Sequence, residues 1–189
     1  MKYSFELAKA SDAEEILNIY GPYIKNTAIT FEYDVPSIEE FQDRIQTITS
    51  KYPWIVCRVN GEIAGYAYAN QFRTRAAFNW AVESSIYISP NYHGRGIATM
   101  LYNKLMNLLS YQGFHHIYAF ISMPNESSVA LHNKLGFERI GLYENSGFKH
   151  GKWYSLLALN KQLKPSHEPT SIIPINTISS DKITELLSK

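Results

Sequence analysis

The segment that joins one predicted strand to the longest predicted helix constrains the fold more than any other. Residues 84–89 include two isoleucines and a tyrosine, as expected of a strand, and Pro90 ends them. The loop that follows contains Gly94 and Gly96, and a leucine-rich helix continues from it as far as Gly113. Glycines at such a turn let several backbone N–H groups point at one spot beside the positive end of a helix. The sequence therefore predicts an anion site here, the alternative being a tight turn that binds nothing.

The loop does not match two common phosphate-binding motifs. A P-loop needs Gly-Lys-Ser/Thr, which is absent. A dinucleotide fingerprint needs a third glycine where Thr99 stands, and an acidic residue about 20 residues further on. The next acid along the chain is Glu126. A dinucleotide is therefore a poor second choice for the anion.

The order of the other elements predicts a mixed sheet. Further strands are expected at residues 3–8, 54–59, 63–69, 116–122, 137–143 and 153–159. Helices are expected to begin at Ser11 and Ser37, each followed by a glutamate three residues later, and after Asn125. Gly21-Pro22 is expected to interrupt the first of them. The order β-α-α-β-β-β-α-β-α-β-β indicates the α/β class (an α+β mixed sheet), a central mixed twisted sheet with helices on both faces.

The charge balance and the cysteine content exclude several classes of protein. With 18 Lys and Arg against 17 Asp and Glu, the formal net charge is +1, which argues against dedicated nucleic-acid binding. No apolar run approaches the roughly 18 residues needed to cross a bilayer. Cys57 has no second cysteine with which to form a disulfide or a CxxC zinc site. We therefore expect a soluble cytoplasmic protein with no metal, no nucleic-acid partner and no membrane partner.

Three segments of the chain resemble the GNAT N-acetyltransferase superfamily. They are residues 90–99, Asn125-x-x-Ser128 and Lys134-Leu135-Gly136-Phe137. The usual superfamily loop is Gln/Arg-x-x-Gly-x-Gly/Ala, and this chain departs from it only at His93. Other segments resemble phosphinothricin acetyltransferases and their relatives, which acetylate methionine sulfoximine, methionine sulfone and similar amino acids. These segments are Tyr52-Pro53-Trp54, residues 65–69, Glu83-Ser84, Tyr87-x-Ser89-Pro90, Gln112-Gly113-Phe114, Leu131-His132 and residues 147–153.

The resemblance covers roughly residues 1–165 and implies the GNAT fold for that domain. Beyond Pro165 the composition shifts to Pro, Ser and Thr, which indicates a tail over residues 166–189 lying on the surface. A short terminal helix over residues 181–187 is compatible with the sequence.

The co-substrate that the resemblance implies is acetyl-CoA, and no metal is implied. The glycine loop would cradle its pyrophosphate, while the preceding strand and the helix after Asn125 would contact its pantetheine arm. The pyrophosphate positions are His93, Gly94, Arg95, Gly96, Ile97, Ala98 and Thr99, and the pantetheine positions are Ile86, Tyr87, Ile88, Asn125 and Ser128.

Acetyl transfer to an amine requires loss of a proton, because an ammonium has no lone pair. The resemblance assigns the role of general base to Glu83, acting through a water, and a solvated glutamate is the alternative. It also places His132 where many superfamily members have a tyrosine that protonates the leaving thiolate, and histidine can donate a proton near neutral pH. Tyr102 is an alternative donor, and simple packing would also explain either residue.

Substrate-binding residues are expected in two loops. Arg73 and Arg75 shortly precede Glu83, and guanidinium forks bind the oxyanions of an acidic amino acid in a bidentate manner. Phe31 and Phe78 are expected as apolar walls of the substrate pocket.

The predicted function is therefore acetyl transfer to the α-amine of a small amino acid or analogue, with direct attack in a ternary complex. Such an activity would confer resistance to phosphinothricin-type inhibitors. The alternatives are the same fold acting on a polyamine, an aminoglycoside or a protein N-terminus, and a CoA-binding module without turnover. The resemblance also implies a homodimer. Lys149-His150-Gly151 is either a turn at the pocket mouth, supplied across a dimer interface, or a plain hairpin turn.

Overall fold

The computed structural model describes residues 2–165 and 167–189, and its centre is one mixed sheet. The strand order is β1-β2-β3-β4-β5-β7-β6. The β4–β5 pair is parallel and the other neighbours are antiparallel, so the predicted mixed sheet is confirmed. The strands are β1 (Tyr3–Leu7), β2 (Trp54–Val59), β3 (Glu62–Gln71), β4 (Ala81–Ile88), β5 (His116–Ser122), β6 (Glu138–Lys149) and β7 (Lys152–Gln162).

Helices cover both faces of the sheet, as predicted. On β4, Tyr87 packs against rings from the first helix, whereas Ser84 lies within hydrogen-bond distance of the third. Side chains alternate along a strand, so these two contacts lie on opposite faces. The helices are α1 (Ala13–Asn26), α2 (Ile38–Thr49), α3 (Ile97–Gln112), α4 (Glu126–Lys134) and α5 (Ser180–Ser188).

The predicted start of α2 is confirmed and that of α1 is wrong. The Ser37 hydroxyl accepts a bond from the N–H of Glu40 at 3.1 Å, and the Glu40 carboxylate accepts one from the N–H of Ser37 at 2.8 Å. Before α1, by contrast, the Asp12 carboxylate accepts the N–H of Lys9, and a short 3₁₀ turn replaces a cap at Ser11.

The expected break at Gly21-Pro22 is also wrong, because α1 continues through both residues to Asn26. Proline removes one helical hydrogen bond. Burial of Tyr20 and Ile24, on either side of it, holds the helix against the sheet and outweighs that loss.

The tail does not simply lie on the surface. Ile175 and Leu186 belong to the main hydrophobic core, and α5 packs on α3. The buried Gln112 amide donates to the carbonyls of Lys51 and Ile173, which fastens the tail to the body of the protein. The predicted terminal helix is present as α5, and the division of the chain at residue 165 stays a prediction. Within the residues described, no helix is long and apolar enough to span a membrane.

Candidate active site

The site begins where two parallel strands part. β4 and β5 pair from Ala81–His116 to Glu83–Tyr118, and beyond that pair the strands diverge. At the point of divergence, the Ser84 hydroxyl donates to the carbonyl of Tyr118 at 3.1 Å, so the last carbonyl of the ladder keeps a donor. The strands thus form a fork that opens towards the glycine loop.

Two connected cavities follow the fork. A small inner pocket of about 60 Å³ lies between the diverging strands, with Ser84, Tyr102 and His132 in its wall. A larger cleft of about 540 Å³ continues from it over the end of β4 and the glycine loop. We call this the cofactor cleft. Its lining includes every predicted cofactor residue: Ile86, Tyr87, Ile88, His93, Gly94, Arg95, Gly96, Ile97, Ala98, Thr99, Asn125 and Ser128.

The glycine loop has the geometry of an anion site. Gly94 and Gly96 take φ values of 73° and 76°, a region that residues with a Cβ rarely adopt, and Gly96 is the N-cap of α3. The guanidinium of Arg95 lies 5.1 Å from the ring centre of Tyr92. Lys134 reaches the same cleft from α4. Helix end, glycine backbone and two cations together suit a pyrophosphate.

Asn125 joins the cleft to the inner pocket, because it lines both. Its side-chain oxygen accepts the N–H of Ser128 at 3.2 Å and so caps α4. The amide nitrogen is then the part of Asn125 that can donate to a carbonyl of the bound arm.

His132 and Tyr102 form one buried hydrogen-bonded pair. The Nδ1 atom of His132 lies 2.7 Å from the carbonyl of Ser128, which can only accept, so Nδ1 carries the proton. Nε2 then accepts from the hydroxyl of Tyr102 at 2.7 Å. The Tyr102 oxygen also lies 3.2 Å from that of Ser84, at the fork. Both ring nitrogens of His132 are therefore engaged by protein atoms.

Burial sets the protonation of this pair. Burial lowers the pKa of His132, although its bond to the Ser128 carbonyl opposes the effect, and burial raises the pKa of Tyr102 strongly. At neutral pH His132 is therefore a neutral imidazole and Tyr102 a neutral phenol.

Glu83 lies on the other face of the sheet. It is the residue before Ser84, so it projects away from Tyr102 and lines neither cavity. Its register partners are Asn70 on β3 and Tyr118 on β5. Burial raises the pKa of the Glu83 carboxyl above its ordinary value. A carboxylate whose pKa is raised, and which stands beside the fork, is suited to accept a proton.

The predicted substrate loop is attached to the Glu83 face through aromatic rings. Phe72 stacks on Tyr118 with ring centres 4.1 Å apart, and Phe78 packs edge-on against Phe72 at 5.8 Å. The Arg73 guanidinium lies 5.0 Å from the centre of the Phe72 ring. Arg73 and Arg75 are both exposed. The structure thus brings Arg73 and Phe78 to the side of the sheet on which Glu83 stands.

Phe31 lies in the loop between α1 and α2 and meets β6. Its ring occupies the space that a Cβ on Gly147 would need, so that glycine is required for the contact. One residue earlier, the carbonyl of Thr30 accepts a bond from the buried Lys149 ammonium at 2.8 Å. His150 and Gly151, both with positive φ, make the β6–β7 hairpin turn. Lys149 therefore ends a strand and holds the α1–α2 loop.

Sequence reasoning missed several residues of the cleft. Tyr23 and Ile29 reach it from α1 and the loop after it, and Leu131 and Lys134 reach it from α4. Leu131 and Lys134 lie in segments that resemble the family, and Lys134 has a second signal, a cation in the last turn of a helix near an anion site. Tyr23 and Ile29 reach the cleft through tertiary packing.

Together these features define a protein that can hold a phosphate-bearing cofactor in the cleft, with the rest of that molecule extending towards the fork. In the described part of the chain no three His, Cys, Asp or Glu side chains are grouped to hold a metal ion.

Comparison with known proteins identifies the family. The model of the acetyltransferase (GNAT) domain matches residues 5–157, and the chain belongs to this family of acetyl-CoA-dependent N-acetyltransferases. It is 32% identical over 171 residues to the phosphinothricin N-acetyltransferase of Streptomyces viridochromogenes, covering 90% of this chain and 93% of the relative. It is 30% identical over 168 residues to the L-methionine sulfoximine/L-methionine sulfone acetyltransferase of Pseudomonas aeruginosa, covering 88% and 98%.

A solved structure agrees with these matches. The crystal structure of a phosphinothricin acetyltransferase from Sinorhizobium meliloti, in complex with acetyl-CoA, superposes with a TM-score of 0.87 at 37% identity. The match covers 93% of this chain and 97% of that one. The predicted family and fold are therefore confirmed.

The buried neutral state of His132 makes stability depend on pH. Because its pKa is lowered in the folded protein, the unfolded chain binds the proton more tightly, so stability falls as pH drops below about 6.5. One proton contributes at most about 1.4 kcal/mol per pH unit. In His132→Gln we expect lower stability but a shallower pH dependence, measured by urea unfolding between pH 5 and 8. His150→Asn, in the exposed hairpin turn, is the control, and an unchanged slope in His132→Gln would contradict the assignment.

Proposed function

We propose that this protein transfers the acetyl group of acetyl-CoA to the α-amine of a small amino acid or analogue of the phosphinothricin, methionine sulfoximine or methionine sulfone type. The observation that carries the proposal is the arrangement about the fork. The cofactor cleft continues from the open end of the diverging strands, and Glu83 stands where the strands part, close to the segment that contains Phe72 and Arg73. We expect the reaction in the cytoplasm, where acetyl-CoA is available.

The reaction proceeds by direct attack. Glu83, through a water, accepts a proton from the substrate ammonium, and the free amine attacks the thioester carbonyl. The new C–N bond forms, the C–S bond breaks, and the electron pair leaves with the CoA sulfur. Cys57 offers no covalent route, because it is fully buried and burial raises the pKa of its thiol to about 11.

The departing thiolate takes its proton from the Tyr102–His132 pair. Both residues line the inner pocket, but the ring nitrogens of His132 are engaged by Ser128 and Tyr102. The hydroxyl proton of Tyr102 is bonded to Nε2 of His132 in the resting site, whereas Nδ1–H of His132 is held by a backbone carbonyl. Tyr102 therefore protonates the thiolate by turning its hydroxyl from His132 to the sulfur, and His132 is the residue that positions it.

Glu83→Gln tests the general base. We expect kcat to fall by about 10²- to 10⁴-fold, because the amide cannot take the proton. In the unmodified enzyme, the acid side of the kcat/KM profile should reflect a group with a pKa above that of an ordinary glutamate. Release of CoA thiol, followed at several pH values, measures both. A variant with full activity and the same acid limb would rule out Glu83 as the base.

The exposed arginines favour an anionic substrate over a polycation. Arg73 lies over the Phe72 ring, on the Glu83 side of the sheet, and Arg75 is exposed two residues further on. A guanidinium fork there can hold a carboxylate or phosphinate. In a screen of phosphinothricin, methionine sulfoximine, methionine sulfone, spermidine and an aminoglycoside, we expect turnover of one or more of the amino-acid analogues. Arg73→Gln should raise KM about tenfold or more with a smaller change in kcat.

The other outcomes of that screen are informative. Turnover of spermidine or the aminoglycoside alone would agree with the family assignment but would reject the proposed binding of an anionic substrate by Arg73 and Arg75. Acetyl-CoA binding without product from any amine would favour a module that binds the cofactor without turnover.

We also propose a homodimer formed through the β6–β7 hairpin. β6 is an edge strand, and exposed apolar side chains surround it. We call them the hairpin patch: Tyr33, Leu142, Tyr143, Phe148 and Trp153. Phe148 and Trp153 lie against each other with ring centres 5.3 Å apart, and Trp153 is 62% exposed.

Trp153→Ser tests the dimer. Removing the largest ring of the hairpin patch should shift the mass towards that of one chain, because apolar area is lost from the interface. Light scattering after size exclusion, over a range of concentrations, measures the mass. Tyr111→Ser, an exposed tyrosine on α3, should keep the dimer. A monomeric unmodified protein would refute the proposal.

A further inference from the structure

His93 is the one position at which the glycine loop departs from the usual superfamily pattern. Its ring does not extend freely from the loop. The Nε2 atom lies 3.1 Å from the carbonyl of Ile88, at the end of β4, and 3.1 Å from the hydroxyl of Tyr23 on α1. Tyr23 in turn donates to the same carbonyl at 2.7 Å. The ring is thus held in one orientation at the edge of the cofactor cleft.

These contacts fix which ring nitrogen carries the proton. The Ile88 carbonyl can only accept. The Tyr23 hydroxyl donates its hydrogen bond to that carbonyl, and burial raises its pKa, so it keeps its proton and can only accept from Nε2. Both partners of Nε2 therefore act as acceptors, and Nε2 is the N–H of the neutral ring. Nδ1 is then the atom that takes up a second proton.

The cofactor cleft favours that second proton once an anion is bound. The other charged side chains among the described residues lining the cleft are Arg95, on the same loop, and Lys134, on α4. A pyrophosphate bound beside these residues would attract a proton to His93 through its negative charge, and Nδ1–H could then donate to a phosphate oxygen. A glutamine or arginine in this place would show no such change near neutral pH.

We infer that His93 couples binding of the cofactor's pyrophosphate to uptake of a proton from solvent. The inference rests on the proposed use of the cofactor cleft by acetyl-CoA, and it assigns to His93 a role that the usual Gln or Arg cannot perform. Cofactor affinity consequently strengthens as the pH falls from 8 to 6, independently of the chemical step.

Calorimetric titration with acetyl-dephospho-CoA tests the inference directly. This probe keeps the pyrophosphate and carries its sulfur as a thioester, but it lacks the 3′-phosphate, which titrates near neutral pH. Titrations at pH 7.5 in buffers of different ionisation enthalpy give the number of protons bound. We expect uptake of about 0.5 proton per cofactor, and about tenfold tighter binding at pH 6 than at pH 8.

Two variants and a truncated probe serve as controls. His93→Gln keeps a donor for the Ile88 carbonyl but cannot titrate, so it should bind the probe with no uptake and with affinity independent of pH. His150→Asn, in the hairpin turn outside the cleft, should retain the uptake. Acetyl-pantetheine, which has no pyrophosphate, should bind with none.

The outcomes separate this inference from the proposed function. Binding without proton uptake, or equal uptake in His93→Gln, would overturn the coupling while leaving the cofactor site intact. Failure of the probe to bind the unmodified protein at all would overturn both.

Discussion

The early end of the β4–β5 ladder is the constraint on which the rest of the site depends. Parallel pairing stops at Glu83–Tyr118, and the later residues of β4 pair with β3 on one side but border a space instead of β5 on the other. That space admits an extended ligand whose amides can replace the missing ladder bonds. It also places adjacent residues of one strand in two different surroundings. Glu83 lies beside Tyr118, on which Phe72 stacks, and Ser84 faces the Tyr102–His132 pair.

What the sequence predicts well is local. The glycine loop, the capping box at Ser37 and the cap at Asn125 depend on residues within a few positions of one another, and each is present as expected. The resemblance to the family adds the residues of the cofactor cleft, because they lie in a few continuous motifs. Their side-chain partners are a different matter, as His93 shows: its ring contacts Tyr23, 70 positions away.

What the sequence does not predict depends on packing between distant elements. Gly21-Pro22 predicts an interruption of the first helix, but α1 continues through it because the buried face of the helix is held against the sheet. The Pro-containing tail reads as a surface segment, yet Ile175 and Leu186 complete the core beside α3. The divergence of β4 from β5 is not indicated by the local sequence either, because both segments have the amino-acid composition of ordinary strands. The sequence pattern predicts which secondary-structure element a segment forms, whereas tertiary contacts determine where that element ends.

The contacts between the α1–α2 loop and β6 have a consequence for how this enzyme could change its substrate. Lys149 holds the Thr30 carbonyl, Gly147 leaves room for the Phe31 ring, and Tyr33 donates to the carbonyl of Phe148. Loop and hairpin therefore form one mechanical unit, although more than 100 positions separate them in the chain. An insertion in either would have to be matched in the other. Evolution of a new specificity is thereby directed towards exchange of side chains on a fixed frame and away from changes in loop length.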